Sequence, residues 1–188
     1  MVQPEYAAQL IRLAEKDLSV RERLSGERKL IGGYHPEMEK IHRENAETLR
    51  KIIRKIGFPS ISKVGSGASE AAWLIAQHAI AKPAFMKSFF KLMTDNIGDV
   101  NTKHWAYLCD RIQYFQGKPQ RFGTQLNADG SIYPVTDLKK LNALRSEYDL
   151  PAIPPEELNR IAPTDEIDRI ESENPDYVIW RNRAGWKS

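Results

Sequence analysis

One stretch constrains the fold more than any other. Residues 71–81 read AAWLIAQHAIA, apolar at nine of eleven positions. At about 100° per residue, such a helix is hydrophobic on every face. A helix of that kind is normally central and surrounded by other elements. It is also too short to cross a bilayer, which takes roughly 20 apolar residues. The chain must therefore build further helices around this one.

Proline and glycine delimit those helices. Pro4 to about Leu24 places Leu10, Leu13, Ala14 and Leu18 on one face, and Gly26, Gly32 and Gly33 mark the loop that follows. Pro36 suits the first position of a second helix, which stops before Gly57-Phe58-Pro59. The central helix opens near Ser66-Gly67, with Glu70 in its first turn, and ends before Lys82-Pro83. A fourth helix runs from Pro83 to about Asn96. A fifth runs from near Asn101 to Gln116 and is closed by Gly117. The texture then changes: KPQRFGTQLNADGSIYPV alternates apolar and turn residues, and Asn127-Ala-Asp-Gly130 predicts a hairpin or loop turn. A sixth helix is expected from a Thr136 cap to near Tyr148. Beyond Leu150, five prolines allow short helical turns at best.

These signals predict a mainly α, single-domain bundle of about five to seven helices, with a short hairpin or extended segment near 118–135. Residues 1–150 form the helical core domain in this reading, and 151–188 a proline-rich acidic strap with an apolar tail packed on it. Charge follows the same division: +6 over residues 1–150, −6 over 151–176 and +3 over the last twelve. An acidic strap on a mildly basic body accounts for this. No basic stripe with interleaved aromatics marks a nucleic-acid surface. Residues 1–17 lack the apolar segment of a secretory signal. The lone cysteine, Cys109, permits neither an intramolecular disulfide nor a Cys-based zinc site. The expectation is a cytoplasmic protein with no membrane partner, and a homodimer if Ile179, Trp180 and Trp186 seal a neighbour instead of their own subunit.

Polar side chains interrupt the apolar faces. Gln77 and His78 lie on the central helix, where an unpartnered buried polar group costs about 1–3 kcal/mol. On the second helix, His42 and Asn45 project into the stripe of Met38, Ile41, Leu49, Ile52, Ile53 and Ile56. His35, Glu39 and His42 have a spacing that offers two imidazoles and a carboxylate to a metal. Against this, His35 precedes the helix, and a flanking glutamate is normally solvated, so no metal is assigned. On the fifth helix, Arg111 flanks the stripe of Trp105, Leu108, Cys109, Ile112 and Phe115, while the wheel turns Asp110 toward Tyr107 and Tyr114. A guanidinium there suits a carboxylate or phosphate. The strip from Gln120 to Gln125 offers uncharged donors and acceptors for a polar pocket. No Ser-His-Asp order, P-loop, HExxH helix or CxxC pair is present.

YHPEMEKIHRENAETLRKIIRKIGFPS, SEAAWLIAQHAIAKPAF and HWAYLCDRIQYFQGKPQRFGTQ, in this order, resemble a bacterial family known only as a domain of unknown function. The likeness covers roughly residues 5 to 152, and its signatures are Gln-His, Asp-Arg and Gly-Thr-Gln. It implies that His35, His42, Asn45, Gly57, Pro59, Gln77, His78, Asp110, Arg111, Gln120, Gly123, Thr124, Gln125 and Arg145 are motif positions. It implies nothing about chemistry.

The functional expectation is a small-molecule enzyme without a cofactor, acting on a polar or anionic substrate by hydrolysis, elimination or cyclisation. His78, which can exchange protons near neutral pH, is the general acid/base. His42 and Asp110 complete the catalytic set. Asn45, Gln77, Arg111, Gln120, Thr124, Gln125 and Arg145 bind substrate. The alternative is a non-catalytic ligand-binding or protein-interaction module whose buried polar groups knit helices together.

Overall fold

The computed structural model describes residues 3–30 and 33–187. Among them are ten α-helices, 3-10 turns at Ile97–Asp99 and Thr164–Glu166, and no strand, so the architecture is mainly α. The chain divides into two compact units, one ending at Asn101 and one beginning at Thr102. The strap and tail therefore belong to the same unit as residues 102–150.

The first unit holds α1 (Pro4–Gly26), α2 (Pro36–Ile56), α3 (Ile61–Val64), α4 (Ser66–His78) and α5 (Pro83–Asp95). As its composition requires, α4 packs against each of the other four, and Ala72, Ile75 and Ala76 are fully buried. Near its start the helix has an outward side as well: Glu70 is exposed, whereas Ala68 is buried. Helix α4 stops at His78, earlier than expected, because Ala79 leaves helical geometry (φ −74°, ψ 42°). A turn closed by Ile80 N–H to His78 O (2.7 Å) and Lys82 N–H to Ala79 O (2.9 Å) then launches α5 at Pro83. At the end of α2, Gly57 adopts φ +74°, open to glycine at no steric cost, and its N–H bonds the Ile53 carbonyl at 2.8 Å.

The second unit holds α6 (Thr102–Phe115), α7 (Leu141–Glu147), α8 (Pro155–Leu158), α9 (Ile167–Ser172) and α10 (Pro175–Arg183). The extended segment lies where the turn residues placed it, with isolated bridges Gln120–Val135 and Leu126–Ile132. The sixth helix starts at Leu141, not after a Thr136 cap, because Thr136 is occupied elsewhere. Its N–H (2.8 Å) and Oγ1 (3.2 Å) both donate to the Gln120 carbonyl. Ile132, Val135, Leu141, Ile153 and Ile161 make one apolar core. The tail forms a longer helix than its prolines suggested, since Pro175 takes the first helical position of α10 and Asn174 accepts from Tyr177 N–H at 3.2 Å. Arg181 on α10 is fully buried, forked onto Glu171 at 2.5 and 2.8 Å. Burial alone would raise the Glu171 carboxyl; its hydrogen bond and charge pairing with Arg181 hold it below the usual range. Trp186 stacks on Phe115 at 4.9 Å within this unit, whereas Ile179 stays exposed. Among the described residues, no helix is long and apolar enough to cross a membrane.

Candidate functional site

The polar residues of the first unit meet on a carboxylate that the sequence reading passed over. Asp17 lies on the inner face of α1 with Leu10, Ala14 and Leu24 and has no solvent exposure. Leu18, one position further round, is exposed instead. His42 reaches Asp17 from α2, with Nε2 3.3 Å from Oδ1. His78, the last residue of α4, reaches it with Nδ1 3.0 Å from Oδ2. The two imidazole centroids lie 5.0 Å apart. One buried carboxylate thus joins three helices through two imidazoles.

Burial on its own would raise the Asp17 carboxyl, but the hydrogen bonds and charge of His42 and His78 overcome that and hold it well below the ordinary carboxylate range. Asp17 is therefore an anion near neutral pH, and each imidazole nitrogen facing it carries a hydrogen. On His42 the other nitrogen, Nδ1, lies 2.6 Å from the Tyr34 hydroxyl, and the two rings stack at 5.6 Å. With Nε2–H directed at Asp17, a neutral His42 accepts from Tyr34 O–H at Nδ1. Burial raises the Tyr34 phenol above its ordinary value, so it stays protonated and able to donate. On His78, Nδ1–H points at Asp17, so Nε2 is the ring nitrogen turned away from the carboxylate. His42 is buried, whereas the His78 side chain retains 14% exposure, so His78 is the imidazole nearer solvent.

The remaining first-unit candidates surround this cluster. Asn45 is buried and donates Nδ2–H to the Leu13 carbonyl at 3.2 Å, tying α2 to α1 one turn before Asp17. Gln77 is buried with its Oε1 lacking a hydrogen-bond partner, so that carbonyl can receive a donor. His35 does not join the cluster. Its Nδ1 caps α2 by accepting from Glu37 N–H at 3.3 Å, and Glu39 pairs with Arg43 at 2.7 Å. Among the described residues, the group whose ligand atoms come within 4.8 Å of one another is Asp17, His42 and His78, not His35, Glu39 and His42.

In the second unit, Asp110 is fully buried instead of turning outward. The loop after α6 folds back over it, and Asp110 accepts from the N–H groups of Arg121 (2.8 Å), Phe122 (3.1 Å) and Thr124 (3.1 Å) and from Thr124 Oγ1 (3.0 Å). Burial raises its carboxyl, and those N–H groups pull it back. Gln120 donates to the carbonyls of Gln125 (3.0 Å) and Tyr133 (2.7 Å) and accepts from the N–H groups of Thr124 (2.9 Å) and Gln125 (2.8 Å). Arg145 donates to the carbonyls of Pro151 (2.7 Å) and Phe122 (2.5 Å). Gly123 sits between them at φ +67°, where a Cβ would come 3.1 Å from Ile153 Cδ1. The side chains of Asp110, Gln120 and Arg145 thus converge on the main chain of one loop, to which Thr124 and Gln125 belong, satisfying groups that would otherwise be orphaned. Arg111 is half-buried on α6.

Asp17 left one trace in the sequence. Leu10, Ala14, Asp17 and Leu24 follow helical spacing as well as the stripe ending at Leu18 does, with an acid where a leucine is the usual occupant.

Fold and site together define a mainly α protein whose first unit carries an imidazole–carboxylate–imidazole cluster on a buried aspartate. The chain belongs to the family of unknown function DUF6624, whose profile matches residues 4–165. No curated protein and no solved structure matches it.

Proposed function

We propose that this protein is a small-molecule enzyme of hydrolase or lyase type, with His78 as its general acid/base. The observation that carries the reading is the hydrogen bond from His78 Nδ1 to the buried, ionised Asp17. A carboxylate in that position fixes the imidazole tautomer and stabilises the imidazolium that forms when Nε2 takes a proton. His78 would accept a proton from a water or substrate group and return it to the leaving group, which suits hydrolysis, elimination or cyclisation. Asp17 and His42 act as positioning residues, with Tyr34 holding His42 and Asn45 holding the helix pair. Gln77 offers its carbonyl to a substrate donor. The substrate class is polar or anionic. The reading places the protein in the cytoplasm, with Ile179 on α10 as the tail residue open to a second copy.

The test is a screen of esters, amides, phosphoesters and hydroxy acids, comparing the wild type with His78→Asn. Turnover should vanish in a His78→Asn protein whose circular dichroism matches the wild type. Undiminished turnover in that folded variant refutes the assignment.

A second reading, a non-catalytic module with a structural polar network, draws on the Asp110–Gln120–Arg145 arrangement, in which side chains bind main chain. A double-mutant cycle on His42 and His78 separates the two readings. Strong stability coupling together with an empty substrate screen favours the module.

A further inference from the structure

We infer that Asp17, His42 and His78 bind a divalent first-row transition-metal ion. The inference rests on the same three-residue centre as the proposed function, but not on the role given there to His78. Its first support is ligand chemistry. Two imidazoles and one carboxylate suit zinc, iron(II), cobalt or nickel, whereas magnesium and calcium prefer sites made of oxygen alone.

The second support is distance. Asp17 Oδ1 lies 3.3 Å from His42 Nε2, Asp17 Oδ2 lies 3.0 Å from His78 Nδ1, and the three ligand atoms fall within 4.8 Å of one another. Metal–ligand bonds of about 2.0–2.2 Å place neighbouring ligands about 3.0 Å apart in an octahedron and roughly 3.3–3.6 Å apart in a tetrahedron. The two contacts to Asp17 are already at that spacing and the widest separation is within 4.8 Å, so an ion would draw the three side chains together by modest rotation.

The third support is the surroundings. A metal-bound histidine almost always directs its other ring nitrogen to a hydrogen-bond partner. His42 does so, with Nδ1 2.6 Å from the Tyr34 hydroxyl. Binding would reverse that bond: Nε2 gives up its hydrogen to bind the ion, and Nδ1–H donates to Tyr34. The ion would also compensate the charge of a carboxylate with no solvent exposure. Three protein ligands leave a coordination position for water or a substrate oxygen, the pattern of catalytic rather than structural sites. While the ion is bound, His78 is a ligand and its Nε2 a fixed donor, so metal and proton chemistry exclude each other at this residue.

The experiment strips the full chain with a chelator and titrates it with Zn²⁺, Co²⁺ or Fe²⁺ alone. One ion per chain is expected. Asp17→Asn, His42→Gln and His78→Gln should each weaken binding at least tenfold, Tyr34→Phe about tenfold through loss of the outer hydrogen bond, and Glu39→Gln not at all. The Co²⁺ visible spectrum distinguishes four-coordinate, zinc-like from six-coordinate, iron(II)-like geometry. If the triad variants do not fold, the wild type decides: Zn²⁺ must shift the ring ¹⁵N signals of His42 and His78 and leave those of His35 in place. Absence of stoichiometric binding, retention of affinity in a folded His78→Gln protein, or loss of it in Glu39→Gln overturns the inference. Turnover in the chelated protein reads the acid/base proposal separately: activity that survives chelation and falls with His78→Asn supports that proposal whichever way the metal titration goes.

Discussion

Asp17 has two replacements, alanine and the near-isosteric asparagine, whose costs should differ widely. Asp17→Ala removes the acceptor of two imidazole N–H groups, from His42 at 3.3 Å and His78 at 3.0 Å, in a place closed to water. Each buried donor left unpaired costs about 1–3 kcal/mol, so the expected loss is about 4 kcal/mol. That is a large part of the 5–15 kcal/mol typical of a domain. Asp17→Asn keeps the shape. Its Oδ1 accepts from one imidazole, and its Nδ2–H donates to the other once that ring exchanges tautomers, so about 1–2 kcal/mol is expected. Urea denaturation followed by circular dichroism at neutral pH measures both, provided the slope with denaturant is unchanged. The pH dependence gives a second reading of the same group. The folded-state carboxyl lies below its unfolded value of roughly 3.9, so its contribution is fully present above that pH and is lost as pH falls toward the folded value. The advantage of wild type over Asp17→Asn should therefore shrink as pH falls below about 4. An Asp17→Ala protein within 1 kcal/mol of wild type, or an Asn variant as unstable as the Ala variant, refutes the account of the cluster.

Three further outcomes follow from the second unit. Asp110→Ala should cost about 3 kcal/mol or more and speed hydrogen exchange at the amides of Arg121, Phe122 and Thr124, whose N–H groups it accepts. Unchanged exchange at those amides argues against its role in the loop. Gly123→Ala should lower stability by about 1–2 kcal/mol, because φ is +67° and the new methyl meets Ile153; thermal denaturation reads this directly. The Cys109 thiol, pushed up to about 12 by burial and then by the charge of Asp110, should resist alkylation at pH 8 in the folded protein and react on unfolding. Fast labelling of the native state contradicts that burial.

Much of this arrangement can be read from local pattern. The apolar character of residues 71–81 made α4 central, and helical spacing on α2 set His42 and Asn45 inside, because a residue's face follows from its position along its own helix. Pro36, Gly57 and Pro83 marked helix limits through properties of single residues, the fixed φ of proline and the freedom of glycine at φ +74°. The wheel failed where two phases were equally plausible. Leu18 and Asp17 are adjacent on α1, and only packing of α1 against α4 and α2 turned the acid inward. Similarly, the wheel turned Asp110 away from the apolar stripe of α6, and only the loop that folds over it buries it.

Composition and periodicity determine which faces are buried and which residue types lie on them. They do not determine which buried groups meet. The link from Asp17 to His78 spans 61 residues, and no local property of either end encodes the other. Whether those polar groups would be satisfied singly or would share one carboxylate was decided by the docking of three helices, which brings two imidazoles and an acid within hydrogen-bonding distance.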